Sequence, residues 1–108
     1  MSLKIVHFGR YGEGDTDIVK SILLSLYKMN HIIQEWNTDL YPELLYNPYN
    51  HRGGNGPVYI QLEKIKEKLI NFKPDLIICN AGGHTFSTED MNWLKKNNIP
   101  ILGIQLIL

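Results

Sequence analysis

Apolar residues fall along this chain in two rhythms that alternate from one end to the other. Residues 4–8, 32–36, 76–79 and 99–108 are short, nearly continuous apolar runs rich in β-branched side chains. Runs of that length predict buried strands. Between them the apolar positions step by three and four. Ile18, Ile22, Leu23, Leu26 and Met29 mark a first helix. Val58, Leu62, Ile65, Leu69 and Phe72 mark a second, and Met91 and Leu94 a shorter third that ends near Lys96.

The residues between these runs carry the matching stop and start signals. Asp15 or Thr16 offers a side-chain oxygen to cap the first helix. Asn30 suits the left-handed backbone that ends it. Ser87 and Asp90 have capping-box spacing ahead of the third helix, and Asn97 and Asn98 close it. Residues 37–57 hold three prolines and three glycines, so an irregular segment is expected there, with one helical turn at residues 42–45.

The order strand–helix–strand–helix–strand–helix–strand predicts an α/β protein: one three-layer, Rossmann-like domain over residues 1–108. Its four-stranded parallel sheet carries helices on both faces. The expected strand order is 3-2-1-4, half of a doubly wound sheet with its switch point between strands one and four. A ligand then belongs beyond the carboxyl ends of the strands, where residues 9–16, 37–57 and 80–85 converge. The apolar run from Ile99 to Leu108 has no helix after it in this sequence. Two occupants are expected for that bare edge: a second copy of the chain, or the missing C-terminal domain of a longer two-domain protein.

Composition narrows the partners. Eleven basic and eleven acidic residues cancel, which argues against a protein built mainly to hold nucleic acid or an anionic membrane. No apolar run approaches the roughly 20 residues of a membrane span. The lone Cys79 excludes an internal disulfide and points to a cytoplasmic protein. The four histidines lack metal-ligand spacing, so no metal site is expected.

Three segments suit ligand chemistry. Gly9, Arg10, Tyr11, Gly12, Gly14, Asp15 and Thr16 form a glycine-containing turn between first strand and first helix. There backbone N–H groups can meet a phosphate or a sugar. Its G-x-x-G-x-G spacing is neither the dinucleotide fingerprint nor a P-loop, and a plain capped turn remains the alternative. Glu35 stands where a ribose-binding acid would. Asn80, Gly82 and Gly83 follow the third strand and allow close backbone approach, and His84 beside them is the candidate general base. Tyr41, Tyr46, Tyr49, His51 and Arg52 in the long segment suit ring stacking and a phosphate contact, or ordinary loop packing. Cys79, on a buried strand, reads as packing.

The run Lys73-Pro-Asp-Leu-Ile-Ile-Cys-Asn-Ala-Gly-Gly83, a short helix, and then Asn98-Ile-Pro-Ile-Leu-Gly-Ile104 resembles the N-terminal half of spore-maturation CgeB-type glycosyltransferases. Lys4-Ile-Val-His-Phe-Gly9 and Asn30-His-Ile-Ile33 fit the same pattern. The resemblance implies a GT-B enzyme of two Rossmann-like domains, of which this would be the acceptor-side one. It implies a nucleotide sugar as substrate, no tightly bound cofactor, His84 as the base, and no competent catalysis by this chain alone. A small flavodoxin-like or nucleotide-binding module, and a structural homo-oligomer joined through the last strand, are the rival expectations.

Overall fold

The computed structural model describes residues 2–9, 16–46, 58–80 and 84–103, with the side chains at 16–18, 84 and 85 left outside the description. Four strands form a parallel sheet: β1 (Lys4–Gly9), β2 (Ile32–Asn37), β5 (Leu76–Asn80) and β7 (Ile101–Gly103). Three shorter strands, β3 (Leu45–Tyr46), β4 (Val58–Ile60) and β6 (His84–Thr85), form a second sheet. The helices are α1 (Thr16–Lys28), α2 (Lys66–Phe72) and α3 (Thr88–Lys96).

The parallel sheet has the order β2-β1-β5-β7. Counted by its own four strands this is 2-1-3-4, which corrects the expected 3-2-1-4. The side chains explain the difference. Every residue of β1 after Lys4 is buried, as an interior strand requires, and β5 is buried from Ile77 to Asn80. β2 carries exposed Ile32 and Glu35 and half-buried Gln34, so it takes an edge. The reversal of strand order across the sheet therefore falls between β1 and β5 rather than between the first and last strands.

The two faces of the sheet are covered differently. Val6, Phe8, Trp36, Ile77 and Cys79 face a core completed by Leu69 of α2, Leu94 of α3, and Leu44, Ile60, Leu62, Ile65, Phe86 and Ile99. Ile5 and Ile78 lie on the opposite face, where Val19 and Leu23 of α1 are buried. Met29 was expected on that buried stripe. It lies past the last turn of α1 and is 62 % exposed, while Val19 fills the place four residues before Leu23.

The second helix is shorter than the periodicity predicts. The apolar residues at 58, 62, 65, 69 and 72 do turn inward, but residues 58–60 are a strand and Leu62–Lys64 a single 3₁₀ turn. Val58, Tyr59 and Ile60 favour extended backbone, and two neighbouring segments supply ladder partners on either side. Within the expected irregular segment, Pro42–Leu44 makes the anticipated turn and β3 follows it directly, while residues 47–57 lie outside the described residues. The last strand is confined to Ile101–Gly103 among the described residues, with Ile99 packed in the core ahead of it. Residues 104–108 lie outside the described residues.

Local signals elsewhere hold. Asn30 has φ 62°, the left-handed stop that its side chain tolerates. Ser87 caps α3 by accepting a hydrogen bond from the Asp90 backbone N–H at 3.1 Å. Asp90 does not complete a reciprocal box. Its Oδ2 instead accepts from the Leu62 N–H at 3.3 Å, which ties α3 to the 3₁₀ turn ahead of α2.

Candidate functional site

The carboxyl ends of β1 and β5 meet where Gly9 pairs with Asn80. Because register partners in a parallel pair share a face, His7 and Ile78, and Gly9 and Asn80, all lie on the α1 face. His7 is fully buried and Asn80 is 4 % exposed. The polar atoms of both side chains are shielded from solvent. Burial holds the His7 imidazole below its ordinary pKa, against interaction with the Asn80 side chain and the charge of Glu35, both of which favour the protonated ring. A polar pair inside the two central strands is costly in an otherwise apolar layer, and position rather than packing is the simplest reason to keep it there.

The β2 side of this end is closed. Thr38 is 1 % exposed, and its N–H donates to the Gly9 carbonyl at 2.9 Å while its hydroxyl reaches the same oxygen at 3.3 Å. Glu35, the register partner of His7, is engaged by α1: the Tyr27 hydroxyl donates to its Oε2 at 2.6 Å. Desolvation, then the hydrogen bond and charge of Glu35, push the Tyr27 hydroxyl up to about 12. Glu35 is thus a partner of Tyr27 and flanks His7.

The second sheet stands beside the same end. β6 begins four residues after Asn80, and the chain enters β3 soon after leaving β2. Parallel pairing of β4 with β6 sets His84 opposite Val58 and Thr85 opposite Tyr59. Antiparallel pairing of β3 with β4 sets Tyr46 opposite Tyr59. Phe86, just past β6, packs edge-on against Phe8 of β1 with ring centroids 5.6 Å apart, which locks the small sheet onto the large one. β3 and β6, which fall within two of the three segments expected to converge, are therefore joined through β4.

Of the residues singled out from sequence, Gly9 and Asn80 meet at the end of the central strands. Thr16 opens α1, and His84 sits in β6 with its backbone paired to Val58. Arg10, Tyr11, Gly12, Gly14, Asp15, Arg52, Gly82 and Gly83 lie outside the described residues. Tyr41 packs edge-on against Trp36 with ring centroids 5.1 Å apart. Sequence reasoning missed His7, Thr38 and Tyr27. The signal for His7 was present: a histidine set between Val6 and Phe8 in an apolar strand. Among the described residues no three metal-ligating side chains come together, and no helix is long and apolar enough to cross a membrane.

Compared with known proteins, the chain matches no family model, no curated protein and no solved structure.

Proposed function

We propose that this domain is a small-molecule binding module of the nucleotide-binding kind, with its ligand seated beyond the carboxyl ends of β1 and β5. The observation that carries this reading is the buried His7–Asn80 pair at the point where the strand order reverses. Open parallel sheets bind ligands at that crevice, and the order 2-1-3-4 is the flavodoxin-like one, whose crevice lies between the first and third strands. The sequence between β1 and α1 is rich in glycine, a composition that suits backbone contact with an anionic ligand. Asn80 can both donate and accept, which suits a ring or a phosphoryl oxygen.

The second reading is an acceptor-side domain of a nucleotide-sugar transferase. It is supported by the resemblance carried by residues 73–83 and 98–104, and by the facing pair Tyr46 and Tyr59 beside the same crevice, with Tyr46 54 % exposed. Planar rings at a cleft edge suit a sugar face.

Thermal unfolding in the presence of FMN, NAD and UDP-glucose separates the two. A ligand at a hundred times its Kd stabilises by about 2.7 kcal/mol, which raises the melting temperature of a domain this size by roughly ten degrees. A shift with FMN or NAD that Asn80→Ala weakens at least tenfold in ligand concentration is the expected result. A shift with UDP-glucose alone favours the transferase reading. No shift with any of the three overturns both.

A further inference from the structure

Among the described residues three polar or charged side chains are buried, His7, Thr38 and Asn80, and all three gather on Gly9. His7 lies two positions before Gly9 in β1, and Asn80 is the register partner of Gly9 on β5. Thr38 follows β2 and closes on the Gly9 carbonyl, its N–H at 2.9 Å and its hydroxyl at 3.3 Å. The N–H bond continues the parallel ladder, and the hydroxyl is an addition to it. Together the two donors take both lone pairs of that oxygen. A bare carbonyl at a strand end repels an anion, and Thr38 removes this one from the crevice.

On the crevice reading proposed above, we infer that the group seated at Gly9 is a phosphoryl oxyanion, and that binding it brings a proton onto His7. His7 lies roughly 7 Å from Gly9 along the strand. Charges that close in partly buried surroundings are little screened by salt. Around the imidazole, β2 contributes Glu35, and α1 contributes Tyr27 through its bond to Glu35 together with the apolar Val19 and Leu23. β5 contributes Ile78 and Asn80. Burial keeps the ring neutral in the empty site, whereas Asn80 and Glu35 already favour the proton, so one added negative charge tips the balance. Glu35 is present whether the crevice is empty or filled, and the oxyanion is the charge that changes.

Ligand binding by the 108-residue chain tests this, with FMN, NAD and UDP-glucose as probes and riboflavin, adenosine and uridine as their phosphate-free counterparts. Calorimetric titration in phosphate-free buffers between about pH 5.5 and 8 should show a phosphate-bearing probe binding about tenfold more tightly at the lower end. NMR shifts of the His7 ring at about pH 6.5 should move toward imidazolium values when that probe is added. They read the proton on the wild-type protein, so the folding of a His7 variant does not enter. Thr38→Val, which keeps the N–H and loses the hydroxyl, should weaken the phosphate-bearing probe about tenfold and leave its phosphate-free counterpart unchanged. Binding of a phosphate-bearing probe without movement of the His7 ring shifts overturns the inference and leaves the crevice reading standing. Equal binding of the phosphate-free counterparts does the same. No binding by any probe overturns the crevice reading and this inference with it.

Discussion

His7 on β1 and Asn80 on β5 are buried on the same α1 face of the sheet, His7 two positions below the Gly9–Asn80 pair that ends the two strands. The two strands bound the crevice, and the burial of His7 between them has a pH signature. His7 is held below its ordinary pKa chiefly by burial, so between the folded value and about 6.5 the unfolded chain binds the extra proton. Its contribution to stability is whole above about 6.5 and is lost as pH falls toward the folded value. Urea unfolding of the wild type should weaken over that window with a slope no steeper than about 1.4 kcal/mol per pH unit. His7→Gln should remove most of that slope. An unchanged slope would mean that other groups carry the acid sensitivity.

Tyr27 and Glu35 make a second titration visible. Six tyrosines are present, and Tyr27 is pushed up to about 12. Ultraviolet titration should therefore show a late phenol that disappears in Tyr27→Phe and moves toward 10 in Glu35→Gln, the hydrogen bond and charge of Glu35 being two of its causes. A Glu35→Gln protein whose late phenol stays in place would leave desolvation as the sole cause.

Ile60 separates the strand from the helix that periodicity predicts. It falls off the helical stripe at 58, 62, 65, 69 and 72, yet it is fully buried because β4 turns it into the core. Ile60→Ala should cost about 2–5 kcal/mol in chemical denaturation, and Ile60→Val about 0.5–1.5 kcal/mol. Ile70, 52 % exposed on α2, should tolerate alanine with a change within about 0.5 kcal/mol.

Ser87 and Asp90 do different work at the start of α3. Ser87→Ala removes an N-cap and should cost about 1 kcal/mol. Asp90→Ala leaves the Leu62 N–H without its acceptor and should cost about 1–3 kcal/mol, whereas Asp90→Asn keeps an oxygen in place and should cost less. Equal losses for the two Asp90 variants would assign its role to charge at the helix start rather than to the Leu62 contact.

Local chemistry was legible wherever it acts over a few residues. The apolar run of β1, the left-handed Asn30, the turn at Pro42 and the Ser87 cap all depend on neighbours close in the chain, and sequence predicts them. The alternation of strand and helix likewise determined an α/β protein with a parallel sheet. Strand order is a different kind of fact, because it depends on which strand can be buried on both sides. Glu35 and Gln34 carried that information, but it becomes decisive only when β1 and β5 compete with β2 for the centre. β4 was hidden because Val58 and Ile60 obey the helical stripe and the strand pattern unequally, and only the partners β3 and β6, from distant parts of the chain, decide for the strand. The site divides in the same way. Gly9 and Asn80 were visible as strand ends, whereas the burial of His7 on the same face as Asn80 required two strands distant in sequence to be laid side by side. Sequence determined which segments could build a crevice, and tertiary pairing decided which of them do, because burial and register are properties of neighbours that the chain brings together only on folding.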